Sequence, residues 1–176
     1  MKHYQPGCVH VYTGDGKGKT TSSMGLALRA HGRGLKVKII QFFKRNTGEK
    51  KVFDQLGIAY KQFVPLHPFF KDYTDLEFQD VQKEFLTFWE TEVETVVKGD
   101  FDLVVLDEIG PALSWKICEE ELLSKFIQTK PEKTELILTG RDIPETIKEM
   151  ADYLTEMQLI RHPYIKGIQA RIGIEY

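Results

Sequence analysis

Cys8-Val9-His10-Val11-Tyr12-Thr13-Gly14-Asp15-Gly16-Lys17-Gly18-Lys19-Thr20-Thr21 is the stretch whose reading decides the fold of this chain. A β-prone run ends in a glycine-rich turn, and Gly-Lys-Thr then opens a series of good helix formers, Met24, Leu26, Ala27, Leu28, Arg29 and Ala30. The order is strand, loop, helix. Gly14, Gly16 and Gly18 let the backbone take conformations closed to other residues, so successive N–H groups can turn toward one anion. The helix aims its positive end at the same point. Lys19 brings a full charge to the phosphates, and the Thr20 hydroxyl reaches a Mg²⁺ bound to them. An ordinary glycine-rich turn would leave two lysines alternating with glycine unexplained. The P-loop pattern places its first glycine where this chain has Thr13, so with Gly14 one residue late the loop is expected to wrap tightly.

Working outward, Gly32 and Gly34 stop the helix, and Lys36 to Phe43 reads as a second strand. The right-handed crossover makes the two strands parallel, with ligands at their carboxyl ends. Lys44, Arg45 and Asn46 leave the second strand at that rim, either as a solvated basic loop or as phosphate contacts. A short helix over Gly48 to Leu56 and a strand over Ile58 to Phe63 follow. Val64 to Tyr73 is apolar, carries two prolines and has no period; core packing is its first explanation, a partner or ligand its second. Asp75 to Lys98 has the longest helical period. Phe78, Val81, Phe85, Phe88 or Trp89, Val93, and Val96 or Val97 form its core face.

Phe101 to Glu108 carries the second chemical signal, a continuous apolar strand ending in two acids. In a chain that also has a phosphate loop, Asp107 or Glu108 should hold metal directly or through water. A helix over Glu119 to Gln128 and a strand over Thr134 to Thr139 lead to Gly140-Arg141-Asp142. Arg141 there either pairs with Asp142 or, as its place at the rim favours, contacts a phosphate or leaving group. Ile143-Pro144-Glu145 starts one more helix, and Tyr153 to Met157 and Ile168 to Tyr176 read as final strands.

The chain has 176 residues, 41% hydrophobic and 28% charged, which fits one soluble domain over residues 1–176 with a three-layer α/β architecture and a mostly parallel sheet. A formal net charge of -2 offers no general attraction to nucleic acid or anionic membrane. No apolar run is long enough to span a membrane and Met1 to Gly7 is polar, so the expected setting is cytoplasmic. Cys8 and Cys118 lack metal-site or redox spacing and read as buried small residues.

Taken together, Tyr12 to Thr21, Leu106-Asp107-Glu108-Ile109, Leu138-Thr139-Gly140-Arg141 and the tail through Glu156-Met157, His162-Pro163 and Gly173-Ile174-Glu175-Tyr176 resemble the P-loop corrinoid adenosyltransferases across nearly the whole chain. The resemblance implies that cob(I)alamin, or a cobyrinic acid a,c-diamide precursor, takes the 5′-deoxyadenosyl group from ATP and releases tripolyphosphate. Reduced cobalt attacks C5′ and needs no general base, and no obvious histidine base is found near the motifs. Lys19, the backbone of Gly14 to Lys19, Arg141 and Mg²⁺ would make the triphosphate a tolerable leaving group. Catalysis thus falls to Lys19 and Arg141. ATP is held by Gly14, Asp15, Gly16, Lys17, Gly18, Lys19, Thr20, Thr21, Arg29 and Arg141, in a pose reversed relative to other P-loop enzymes. Thr20 and Glu108, with Asp107, are the implied Mg²⁺ partners, and Phe69 and Phe70 the implied corrin-facing pair. A homodimer and an electron-donating flavoprotein reductase come with the resemblance.

The chain departs from the family pattern in three places. Few residues precede the first strand, so a lid reaching over a partner's site is expected to be absent. Gly110-Pro111 replaces a frequent Asn-Tyr, and Arg45 a frequent glycine. Two other functions use the same motifs: a kinase or ATPase acting at the γ-phosphate, and an ATP-binding module without turnover. Lys19 is expected to face solvent in the nucleotide-free protein.

Overall fold

A computed structural model describes residues 6–45, 47–67 and 70–175 of the chain. Phe69, one of the two implied corrin-facing residues, lies outside the described residues, as do Asn46 and Tyr176. The strands are β1 (Val9–Thr13), β2 (Val37–Phe42), β3 (Ala59–Phe63), β4 (Leu103–Asp107), β5 (Glu135–Thr139) and β6 (Tyr153–Glu156). They form one sheet in the order β3-β2-β4-β5-β1-β6, and every recorded pairing is parallel. All six carboxyl ends therefore open on one rim.

Period-two alternation divides the strands between two cores. Ile39 and Val105 face Met24, Ala27 and Ala30 of α1 (Lys19–His31) and Phe53 of α2 (Glu49–Leu56). Ile40, Val104 and Leu106 face the opposite side, against Val81 and Phe85 of α3 (Asp75–Phe88). Helices on both faces explain why β2 and β4 are buried at every position. The result is the single three-layer α/β domain expected, with a sheet that is wholly parallel among the described residues.

The helix expected over Asp75 to Lys98 begins at a capping box, with Thr74 accepting from the Glu77 N–H while the Glu77 carboxylate accepts from the Thr74 N–H. It is interrupted by a π-helical turn at Trp89–Val93, closed by a 2.9 Å bond from Glu94 N to Trp89 O, before α4 (Thr95–Lys98). Trp89 and Val96 are the buried members of the two alternatives on its core face. Beside this turn lies Lys38, a buried lysine near the start of β2. Its Nζ donates to Glu92 O at 2.6 Å and Thr95 Oγ1 at 3.1 Å, and pairs with the Glu92 carboxylate at 3.3 Å.

The fold corrects four expectations. Ile168 to Glu175 forms no strand; after a 3₁₀ turn at Pro163–Lys166 the tail ends in turns. The strand reading followed the alternating isoleucines, yet Ile172 is 83% exposed and has no neighbouring strand to pair with among the described residues. Cys8 is half-buried rather than buried, because it stands at the start of β1. A short helix not anticipated, α5 (Ile109–Ser114), follows β4 directly. The apolar loop after β3 is core only in part: Val64, Leu66 and Phe70 are exposed, Phe70 by 78%, while Tyr73 packs against the core. That loop is tied down by polar contacts, with Arg45 donating to Val64 O at 2.6 Å and Tyr73 Oη to Leu66 O at 2.5 Å.

Candidate active site

The loop between β1 and α1 lies at the carboxyl rim, with Gly14 at φ 90° and Gly18 at φ 119°, both in the left-handed region. Glycine at 16 answers a different need. A Cβ there would stand 2.6 Å from Met157 O and 2.7 Å from Gln158 O, because the chain leaving β6 runs against the loop and Gly16 N donates to Met157 O at 2.6 Å. The tight wrap expected from the late first glycine is thus a loop held on its outer side by Met157.

Lys19 overturns the expectation of a solvent-facing side chain. It is buried, and Nζ donates to Gly14 O at 2.5 Å and Gly16 O at 2.8 Å. The ammonium curls back onto the carbonyls of its own loop. Burial, then the nearby Arg141 charge, holds its pKa below the ordinary lysine value against the opposing pull of Glu108 and Asp15.

Asp107 ends β4 opposite Gln41 of β2, and its carboxylate is fully buried. Oδ1 accepts from Thr139 Oγ1 at 2.7 Å; Oδ2 accepts from Gln41 Nε2 at 2.8 Å and Lys44 Nζ at 3.0 Å. Burial alone would raise its pKa, but Lys44 and these hydrogen bonds outweigh it and keep the group below the usual carboxylate value. Glu108 follows at φ 66°, a left-handed backbone unusual for a residue with a side chain. Its carboxylate is 3.5 Å from Lys44, and burial followed by the Asp107 charge raises its pKa despite Lys44 and Lys19.

Lys44 completes the group by hydrogen-bonding Thr20 Oγ1 at the start of α1. One ammonium therefore joins a hydroxyl from the phosphate loop to both acids at the end of β4. These are hard oxygen donors, and the place among them already accommodates a cation, so the residues fit a Mg²⁺ ion that takes its remaining ligands from water and phosphate. Among the described residues no cluster of three or more His, Cys, Asp or Glu side chains forms a self-sufficient metal site.

Arg141 reaches across to the loop, with Nε 3.6 Å from Asp15 Oδ1, rather than pairing with Asp142. Its approach depends on close packing of α5 against the segment after β5: a Cβ on Gly110 would lie 2.1 Å from Arg141 O, and one on Gly140 2.5 Å from Gly110 N. The departure at Gly110 thus has a physical partner in Gly140. Lys17 points outward and pairs with Glu175 at 2.9 Å, bringing the tail to the loop. Thr21 is exposed on α1. Arg29 lies in the last turn of α1, about 15 Å along the helix from Lys19, and is not brought to the phosphate loop.

Sequence reading missed three parts of this rim. Met157 was legible only as part of the tail motif Glu156-Met157, with nothing to tie it to the loop. Trp115, at the end of α5, meets the His67 ring edge-on at 4.4 Å, and His67 in turn lies 5.4 Å from Phe43 and 5.7 Å from Phe70. A histidine therefore does stand near the motifs, and burial holds its pKa below the ordinary value. Phe43 is itself left-handed, φ 59°, and immediately precedes Lys44. The signal that could have found this aromatic group was the excess of exposed apolar residues in an irregular loop.

A family model described as ATP:corrinoid adenosyltransferase BtuR/CobO/CobP matches residues 5–176. The chain is 34% identical over 175 residues to a corrinoid adenosyltransferase of Pseudomonas aeruginosa, covering 97% of this chain and 84% of that one. It is 34% identical over 175 residues to one from Sinorhizobium sp, covering 98% and 81%. With one from Escherichia coli strain K12 the identity is 30% over 177 residues, covering 97% and 86%. A glycine-rich turn between a parallel strand and a helix, and a match across almost the whole length, lead to one conclusion: the chain belongs to the ATP:corrinoid adenosyltransferase family.

Proposed function

We propose that the protein transfers the 5′-deoxyadenosyl group of ATP to the reduced cobalt of cobalamin or cobyrinic acid a,c-diamide, releasing tripolyphosphate. The observation that carries this reading is the meeting of four features on one rim. These are the phosphate loop, the hydroxyl and carboxylates gathered around Lys44, Arg141 turned onto the loop, and the aromatic group His67, Phe70 and Trp115 beside them. A phosphoryl-transfer enzyme would use the first three. An apolar, aromatic surface next to them suits a large planar substrate.

The cobalt electron pair would form the new bond to C5′ while the C5′–O pair departs with the triphosphate. No proton need be removed, which agrees with a rim whose basic groups are cations held against oxygens. Thr20 and Glu108 would hold Mg²⁺, with Asp107 orienting through its hydrogen bonds, since both its oxygens are engaged. When bound, the ion would supply positive charge to the phosphate oxygens. Lys19 would exchange its two carbonyl partners for phosphate oxygens, and Arg141 would exchange Asp15 for the same polyanion. Positive charge would then be in place where negative charge grows. Gly14 to Thr21 would hold the triphosphate, while Arg29 could act only away from the loop. For corrin contact, Phe70 is joined by Trp115 and His67; Phe69 keeps its proposed role from the resemblance.

A homodimer, a flavoprotein electron donor and a cytoplasmic setting belong to the same proposal and rest on the resemblance. No helix among the described residues is long and apolar enough to cross a membrane. Product analysis with ATP, Mg²⁺ and chemically reduced cobalamin tests the reading. Tripolyphosphate together with a light-sensitive alkylated corrinoid is expected; ADP and orthophosphate, or stoichiometric ATP binding without product, would overturn it.

A further inference from the structure

We infer that Lys44 is a positioning residue that fills the divalent-cation position until nucleotide arrives, making metal capture conditional on the triphosphate. The inference rests on the proposal that Thr20 and Glu108 hold Mg²⁺ and adds a role for a neighbour that is not itself a ligand.

The arrangement is built rather than incidental. Phe43 takes a left-handed backbone, φ 59°, although its side chain is large and buried. Such a conformation costs free energy and persists only where surrounding structure enforces it. Here the enforcement is visible: Phe43 N donates to Phe63 O at 2.7 Å, its ring packs on Phe63 and His67, and Gln62 Nε2 donates to Lys44 O at 3.1 Å. The turn at Phe43 sends Lys44 back over the end of the sheet instead of outward. Its Nζ then reaches Thr20 Oγ1, Asp107 Oδ2 at 3.0 Å and Glu108 Oε2 at 3.5 Å. Glu108, on the other side, is also left-handed, so two unfavourable backbone conformations bracket one ion cluster.

Charge explains the consequence. Two carboxylates with one ammonium leave a single negative charge, enough to hold the lysine but little to attract a divalent ion past it. Mg²⁺ alone would find one hydroxyl and one or two carboxylates, far short of its octahedral oxygen shell, and would have to displace an ammonium with no better place to go. A triphosphate in the loop changes both conditions. It supplies the missing oxygens and a polyanion that the ammonium can move toward. Metal and nucleotide should then bind with positive coupling, part of which comes from Lys44.

The test uses Mn²⁺ as a paramagnetic substitute and measures free Mn²⁺ by electron paramagnetic resonance, with the full-length protein and no corrinoid. Without nucleotide, Lys44→Met is expected to bind Mn²⁺ about tenfold or more tighter than the wild type, within the usual range of coupling between sites. With ATP present the two proteins should differ much less, and Lys44→Arg should match the wild type in both conditions. Equal Mn²⁺ affinity of wild type and Lys44→Met without nucleotide would overturn the inference. So would wild-type protein that binds Mn²⁺ equally well with and without ATP. If the wild type takes up no Mn²⁺ even with ATP, or Glu108→Gln leaves that uptake unchanged, the metal-site proposal itself fails. Circular dichroism melts check each variant's fold; should Lys44→Met not fold, Lys44→Gln takes its place under the same criteria.

Discussion

Replacing Asp107 by asparagine changes almost no volume and so isolates the charge. In the folded protein the carboxylate has no exposure and accepts from Thr139 on one oxygen and from Gln41 and Lys44 on the other. Three donors point at a group that only accepts. An amide offers one accepting oxygen and one donating nitrogen, so it meets all three groups only if the Thr139 hydroxyl turns to accept, and it carries no charge to balance Lys44. If the amide oxygen faces Thr139, the nitrogen meets both Gln41 and the Lys44 ammonium; the reverse orientation opposes it to the Thr139 hydroxyl, which can rotate. Gln41 cannot flip freely, because its Oε1 accepts from Tyr60 Oη at 2.6 Å. Hydrogen bonds to a charged group contribute about 1.5–3 kcal/mol each, and breaking a buried ion pair costs about 3–5 kcal/mol. Asp107→Asn is therefore expected to lose about 3–5 kcal/mol, which in a domain of this size lowers Tm on the order of 10 °C. Urea unfolding followed by circular dichroism measures the loss directly. Adding Lys44→Met to Asp107→Asn removes the stranded ammonium, so the double variant should be more stable than the sum of the two single losses predicts, by about 1 kcal/mol or more. A loss below about 1 kcal/mol for Asp107→Asn, or strict additivity, would refute this account of the cluster.

Three other outcomes are expected. Gly16→Ala should cost about 1–3 kcal/mol, because its methyl group meets main-chain oxygens rather than yielding side chains, and ATP binding should weaken with it; unchanged urea midpoint and affinity would show that the loop and Met157 move apart freely. Asp100 hydrogen-bonds Lys133 and, at 2.8 Å, Lys36, and these contacts lower its pKa from 3.8 to about 2. Since the folded value lies below the unfolded one, its stabilising contribution is complete above about pH 4 and is lost as pH falls through 2; the stability difference between wild type and Asp100→Asn should close over that window, and a pH-independent difference would contradict it. If, as the resemblance implies for the aromatic segment, these rings help displace the lower axial ligand and ease reduction of Co(II), Phe70→Ala and Trp115→Ala should slow turnover from Co(II) starting material more than from pre-reduced Co(I), with Phe70→Ala neutral to folding because its ring is exposed; equal losses from both starting states would remove the rings from that role.

What sequence conveyed was the part of the fold governed by local rules. The phosphate loop, the order of strands and helices and the face of α3 follow from glycine placement and from periods of two and 3.6 residues, all legible within short windows. The candidate site was legible as separate motifs. Its assembly was not. Asp107 meets Gln41 because β2 and β4 pair in a particular register, and Lys44 turns back because Phe43 adopts a backbone no sequence rule assigns to phenylalanine. Lys19 was expected to face solvent because lysine usually does; its contacts with Gly14 O and Gly16 O arise from the curl of the loop itself. Trp115 stayed unnoticed because α5 is too short to show a period. The isoleucines of the tail misled for the opposite reason, offering a strand's alternation without a neighbouring strand.

The wide turn at Trp89–Val93 has a consequence for how relatives of this chain can diverge. Removing a single residue there would restore an unbroken α-helix with Val96 still facing the sheet, because the wide turn absorbs one extra residue. The same deletion would withdraw the Glu92 carbonyl from Lys38 and strand a cation inside the protein. The deletion therefore needs a compensating change at Lys38. The irregular turn and the lysine beneath it should therefore be inherited as a pair, and a lineage that straightens the helix should carry an apolar residue in place of Lys38.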